Sequence, residues 1–238
     1  VLHAPSNILH ATEQMSAGVL AFLALATREL VGAGVQQTVI YRCDGDDSVA
    51  GRFDPQVRLV PVPSAASSSP WARLGALRIA LCREMSARSY DAVHLHAARA
   101  GLLGRAILSG VAGHPPVYYS PHGLRSLNRD HRVAAAFAGL AERVAAITPC
   151  RPVGCGRGEA RELERLTHRT AAVLENPVDA AFFDVPRRPD ARPRVVTVGR
   201  ACQQKGADWF AELAARFYFA GESVQFVWVG AGDSTSEE

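Results

Sequence analysis

The chain has 238 residues, which at roughly 150 residues per domain suggests between one and two domains. With 48% hydrophobic and 21% charged residues it has the make-up of a globular protein, which excludes wholesale disorder and fibrous repeats. A net charge of +3 is too small to imply nucleic-acid binding by bulk electrostatics, and no uninterrupted apolar run reaches the length of a membrane-spanning helix.

In chain order, Asn7 to Thr12 predicts a strand, and the apolar spacing from Gly18 to Val31 predicts a helix. Strands follow at Gln37–Tyr41 and Val57–Val62. Trp71–Arg88 predicts a helix with Leu74, Leu77, Leu81 and Met85 on one face. Ala92–His96 is a strand, Ala98–Val111 a helix, and Val117–Ser120 a strand ending at Pro121-His122-Gly123. A helix from about His131 runs into the apolar stretch Val144–Ile147, and a helix at Glu159–Leu166 precedes a strand at Ala171–Leu174. Such alternation predicts an α/β fold, a parallel sheet covered by helices on both faces.

Pro186 to Pro193 then carries three prolines in eight residues, which denies the backbone both helix and ladder. We therefore expect a first domain at 1–185, a linker at 186–193 and a second domain from 194 onward. The pattern restarts there with strand Arg194–Val198, helix Ala207–Phe219, strand Val224–Val229 and the turn Gly230-Ala231-Gly232. A single βαβ unit of this size cannot readily bury an independent core, so 194–238 reads as a domain only begun. The opening Val1-Leu2-His3-Ala4-Pro5 has neither a signal-peptide pattern nor an initiator methionine, so an origin within a longer chain is expected. Cys43, Cys82, Cys150, Cys155 and Cys202 are scattered without a CxxC pair, which predicts reduced thiols in a cytoplasmic protein.

Ligands of open α/β sheets sit beyond the carboxyl ends of the strands. After the first strand, Ser16-Ala17-Gly18 opens a helix whose free N–H groups could meet an anion, although an ordinary turn has the same residues. His122, between Pro121 and Gly123, would project its imidazole into the crevice. Gly199-Arg200 closes the first strand of the second unit, and Lys205-Gly206 stands just before the next helix. Lys205 is the single lysine beside 25 arginines. An arginine fork and a compact ammonium near a helix N-terminus suit a diphosphate.

Two patterns carry less. His94 and His96 share one strand face, a geometry metals can use, but no third ligand with matching logic stands out, and one imidazole facing the crevice is the expectation. Gly154-Cys155-Gly156-Arg157-Gly158-Glu159 approaches a dinucleotide fingerprint but has Glu159 where that pattern needs glycine.

Five stretches occur in order: Ile8 to Glu13, Tyr90 to His96, Ser120 to Gly123, Glu175 to Asp179, and Val198-Gly199-Arg200 with Gln204-Lys205-Gly206. Together they resemble the family 4 glycosyltransferases, retaining enzymes of the GT-B fold with two Rossmann-like domains facing across a cleft. The resemblance implies transfer of a sugar from a nucleotide-diphosphate donor to a saccharide or lipid-linked saccharide acceptor in cell-envelope or capsular polysaccharide assembly, without metal or other cofactor. It implies His122 as the catalytic group at the donor sugar, and Arg200 and Lys205 on the donor diphosphate beside Gly199 and Gly206. Gly18 would approach the same phosphates through its backbone. Glu13, His96, Asn176, Gly230 and Gly232 would line the cleft.

The chain departs from the family pattern in two places. Asn176 is followed by Pro177 rather than glycine, and an E-x7-E pair should lie well beyond Gly232, whereas the chain stops at Glu237-Glu238. A native protein longer by on the order of 100 residues is therefore expected. Two alternatives stand beside the transferase: a noncatalytic truncated binding domain, and a nucleotide-sugar epimerase of the same fold. Peripheral contact with the inner face of the plasma membrane is a further expectation, through the helix carrying Trp71, Arg73, Arg78, Arg83 and Arg88. A solvated face explains those arginines as well.

Overall fold

The computed structural model of the chain describes residues 5–13, 15, 17–43, 47–63, 70–127, 132–186, 192–202 and 205–230. They fall into two compact units, Val1–Asp179 and Ala180–Glu238. The expected linker lies mostly at 187–191, outside the described residues.

The first unit is a seven-stranded sheet. Its strands are β1 (Asn7–Thr12), β2 (Gln36–Cys43), β3 (Arg58–Pro63), β4 (Ala92–His96), β5 (Val117–Ser120), β6 (Arg151–Gly154) and β7 (Ala172–Val173). Helices α1 (Ala17–Gly32), α2 (Pro70–Ala87), α3 (Ala98–Leu108), α4 (Arg132–Ala145) and α5 (Arg157–Thr167) connect them. The order across the sheet is β3-β2-β1-β4-β5-β6-β7, with every pairing parallel. The chain winds outward from β1 to β3, crosses back to β4 and continues in the other direction. The topological switch point therefore lies between β1 and β4, at whose carboxyl ends ligands of open α/β sheets bind.

One strand differs from expectation. β6 at Arg151–Gly154 gives the sequence no apolar run, holding an arginine, a proline and a glycine in four residues. The apolar stretch Val144–Ile147 instead closes α4 and the turn after it.

The two faces of the sheet carry different residues, as the period of two along a strand requires. Leu9, Ala11, Val93, Leu95, Val117 and Tyr119 point to one face and pack with Leu77 and Leu81 of α2 and Ala100 and Leu108 of α3. On the other side Val19, Phe22 and Leu23 of α1 pack with Val39, Tyr41 and Val57. Helix α3 approaches the sheet closely at Gly101 and Gly104, where any β-carbon would collide with the Tyr119 ring or the Leu95 side chain. Beside them Arg105 is buried: it donates to the Gly101 carbonyl and, at 3.0 Å, to Glu142 of α4, which also accepts the Tyr119 hydroxyl at 2.6 Å.

The second unit holds parallel strands β8 (Arg194–Val198) and β9 (Gln225–Val229) with α6 (Ala207–Phe219) between them. Phe210, Phe217, Phe226 and Trp228 pack edge to face. No residue of α6 is fully buried, so this βαβ unit buries little apolar surface within itself. Among the described residues, no helix is long and apolar enough to cross a membrane.

Candidate functional site

In the parallel register of β1 and β4, His10 stands beside His94 and Thr12 beside His96. Residues in register share a face, and residues two apart on a strand share it too, so His10, His94 and His96 all emerge on the α1 side of the sheet. β5 delivers Ser120 next to His96, and the chain then turns through His122.

The result is a continuous file of side chains. Gln37 Oε1 lies 2.8 Å from His10 Nε2, His10 Nδ1 lies 3.0 Å from His96 Nε2, and His96 Nδ1 lies 2.9 Å from His122 Nε2. His94 stands to one side, its Nε2 2.9 Å from the Ser120 hydroxyl. The Phe22 ring of α1 covers the end of the file, 4.8 Å from the His122 ring.

Burial dominates the electrostatics. It holds His10 down to about 4 against the raising effect of the Gln37 bond, and it holds His94 and His96 well below the usual imidazole range. Burial also lowers His122, opposed by the Glu159 carboxylate. The four imidazoles are neutral at pH 7.

The backbone around this file is strained and tied down. Ala97, directly after His96, has φ 65°, and His122 has φ 52°, both in the left-handed region that non-glycine residues seldom adopt. Such conformations cost about 1–3 kcal/mol and persist only where the surroundings fix them. Here the Ala97 N–H donates to the Ser120 carbonyl at 2.9 Å, joining the ends of β4 and β5. Glu159 in the first turn of α5 accepts the Gly123 N–H through one carboxylate oxygen and the Cys155 N–H through the other, both at 2.7 Å.

This bonding also explains the near-fingerprint at 154–159. An N–H of that turn is taken by a carboxylate of the chain itself, in the place where a dinucleotide-binding loop offers N–H groups to pyrophosphate. Burial, followed by Glu159, pushes the neighbouring Cys155 thiol up to about 11, so it is inert as a thiolate at neutral pH.

The expectation that no third ligand joins His94 and His96 is corrected. His10 does, and one nitrogen from each of the three lies within 4.8 Å of the others. The reason is strand register, which places β1 against β4 across more than eighty residues of chain. Both His10 nitrogens are already hydrogen-bonded, so an ion bound there would have to displace one of those bonds.

The remaining expected residues of this unit lie around the switch point or outside it. Glu13 follows β1, half-buried, with the Arg99 guanidinium 3.5 Å from its carboxylate. Gly18 is exposed in the first turn of α1, with open space where a β-carbon would stand. Asn176 lies on an exposed segment after β7. Sequence reasoning missed His10, Gln37 and Glu159.

In the second unit the structure brings Gly199, Arg200, Lys205, Gly206 and Gly230 to the carboxyl ends of β8 and β9. Gly199 has φ 153°, and a β-carbon there would stand 3.7 Å from Lys205 Cγ and 3.9 Å from Cε, so the lysine stem lies along the strand end. The Trp228 indole donates to the Gly199 carbonyl at 2.8 Å, and the Gly199 N–H donates to Val229 at 2.9 Å. Gly206, φ 74°, caps α6, placing Lys205 at the positive end of that helix. Arg200 and Lys205 are both exposed. Gly232 lies outside the described residues.

The model of Glycosyltransferase Family 4 matches residues 17–182. No curated protein matches the chain by sequence. Among solved structures it is similar to sucrose-phosphate synthase from Thermosynechococcus elongatus, with TM-score 0.71 and 15% identity over 98% of this chain and 64% of that one. It is also similar to Anabaena HepE in complex with UDP and glucose, with TM-score 0.59 and 14% identity over 95% and 69%. A third is the UDP-GlcNAc 2-epimerase from Methanocaldococcus jannaschii, with TM-score 0.55 and 13% identity over 92% and 64%. At such identities the likeness shows the fold alone. The chain spans about two thirds of the length of these proteins.

Proposed function

This chain belongs to Glycosyltransferase Family 4 and has the GT-B fold, and from that premise we propose that it serves transfer of a sugar from a nucleoside-diphosphate donor to a saccharide acceptor, with retention. The observation that carries the reading is the strand-end cradle of the second unit. Gly199 lets the Lys205 stem lie along the end of β8, and Gly206 opens the N-terminus of α6 next to it. An ammonium, a guanidinium on Arg200 and a helix N-terminus gather positive potential where a diphosphate would acquire charge as it leaves, with no divalent ion in that role. His122 takes the donor sugar in the reading, with Glu13 and the Gly18 turn around it; His96, expected in the cleft, is fully buried behind His122. A UDP-containing neighbour of the same fold makes a nucleotide-sugar donor the natural candidate.

We place the reaction in the cytoplasm, in envelope or capsular polysaccharide assembly, with an acceptor that includes lipid-linked saccharides. Arg78 and Arg83 on α2 and Arg88 just after it are exposed; they spread around the helix, and in the reading part of that cationic surface meets anionic lipid. Salt-insensitive or absent sedimentation with anionic vesicles would remove that contact from the reading.

The test of the transfer itself is a donor panel assayed by product mass spectrometry with the wild-type protein and Lys205→Ala. Loss of one preorganised charge donor predicts a fall of about 100-fold or more in turnover; an unchanged rate refutes the assignment. The M. jannaschii neighbour keeps a second reading in view, because a diphosphate cradle serves an epimerase equally well. Donor incubated without acceptor separates the two, since an isomerised sugar nucleotide identifies the epimerase.

A further inference from the structure

The file of side chains beneath α1 has a direction, and Gln37 sets it. The Gln37 amide nitrogen donates to the Val35 carbonyl at 3.3 Å, which leaves Oε1 as the atom facing His10 Nε2 at 2.8 Å. A carboxamide oxygen only accepts, so His10 carries its proton on Nε2 and has a lone pair on Nδ1. That lone pair accepts from His96 Nε2 at 3.0 Å, which puts the proton of His96 on Nε2 as well. His96 Nδ1 then accepts from His122 Nε2 at 2.9 Å. Each imidazole is neutral and has one proton to place, so the order propagates without ambiguity. The opposite order would turn the Gln37 amide and give up its bond to Val35. His94 stands outside the file, on Ser120, and Glu159 is the acidic group whose charge acts on His122.

We propose that Gln37, through His10 and His96, fixes the tautomer of His122, so that His122 Nδ1 is a hydrogen-bond acceptor that reads a hydroxyl of the donor sugar and not an oxygen of the phosphate. The assignment of a sugar to His122 rests on the transfer reading above; the tautomer does not. Gln37, His10 and His96 are positioning residues, acting through His122. A neutral acceptor imidazole repels an anionic oxygen and cannot supply charge to a departing diphosphate, so that task falls to cations elsewhere. Two left-handed residues, Ala97 and His122, bracket the last bond of the file, where loss of register would break it.

The deciding measurement is a long-range proton–nitrogen correlation spectrum of the uniformly nitrogen-15-labelled full chain at pH 7.5, with histidine assignments from single substitutions. His10, His96 and His122 are expected in the Nε2–H form. Gln37→Met removes the acceptor and should move His122 toward the Nδ1–H form. In turnover assays with singly deoxygenated donors, the wild type should discriminate about tenfold against one of them, and Gln37→Met should lose that discrimination.

A wild-type His122 found as Nδ1–H or as imidazolium overturns the proposal, as does a Gln37→Met spectrum identical to wild type. If Gln37→Met fails to fold, the wild-type spectrum alone still decides. Nε2–H tautomers in a protein that transfers no sugar would sink the functional reading and leave the tautomer assignment standing. Transfer with the wrong tautomer would do the reverse.

Discussion

Glu159 Oε1 accepts the Gly123 N–H at 2.7 Å, so one carboxylate in the first turn of α5 anchors the loop that presents His122. The same carboxylate reaches back to Cys155, and it is buried, so both N–H groups depend on it. Glu159→Ala leaves two part-buried donors unsatisfied, each costing about 1–3 kcal/mol. Glu159→Gln retains an acceptor oxygen for only one of them and should lose roughly half as much. Denaturant melts of the two variants give the ranking. Hydrogen exchange at Gly123 and Cys155 should accelerate in Glu159→Ala; unaltered exchange at Gly123 would mean that the loop is held by something else.

The imidazoles beneath α1 make stability depend on acid. His10 titrates near 6.5 in the unfolded chain and near 4 in the folded one. Its contribution is therefore complete above pH 6.5 and is lost as pH falls toward 4, because the unfolded chain takes up a proton that the native state refuses. From His10 alone the loss amounts to about 3 kcal/mol over that window and about 2 kcal/mol by pH 5. His94 and His96 are displaced in the same direction and steepen the fall. Urea unfolding at pH 7.5 and pH 5 measures it, and equal stabilities at the two values would contradict the buried, neutral state of the file.

Arg105 and Glu142 form a second buried pair, closed by the Tyr119 hydroxyl and by the guanidinium lying 4.2 Å over the Tyr119 ring. Arg105→Leu strands a buried carboxylate and should destabilise by about 3–5 kcal/mol. Arg105→Met combined with Glu142→Gln removes both charges, keeps an acceptor for the Tyr119 hydroxyl and should recover most of that loss. Chemical denaturation of the single and double variants tests this non-additivity. A double variant as unstable as the sum of its parts would show that packing rather than charge is at stake.

The fold was legible wherever periodicity was strong. β1, β4 and β5, the helices between them and the restart at Arg194 follow from alternating runs of ordinary length. β6 was not legible, because Arg151-Pro152-Val153-Gly154 has no pattern of its own and becomes a strand only through pairing with β5 and β7. The site shows the same division. His122 and the shared face of His94 and His96 follow from local spacing, whereas His10 joins them only through the register of β1 against β4. Glu159 was visible as a misfit in a glycine pattern, but its bond to Gly123 crosses 36 residues. Arg105 and Glu142 sit on amphipathic helices, where a charged residue ordinarily signals solvent.

The cradle in the second unit depends on a backbone contact that tolerates no side chain. Gly230 has φ 143°, and a β-carbon on it would overlap the Gly199 carbonyl, the same oxygen that accepts the Trp228 indole N–H. Gly230→Ala must therefore displace either the end of β9 or the turn that carries Arg200 and Lys205. The strain of a left-handed alanine adds about 1–2 kcal/mol. If the cradle holds a diphosphate, the variant should weaken binding of a nucleoside diphosphate by about tenfold or more in titration calorimetry. The tautomer spectrum of the first unit should stay unchanged. Val229→Ala, one residue earlier and half exposed, is the control and should leave the affinity within about twofold. Wild-type affinity in Gly230→Ala would show that the ligand does not use this strand end.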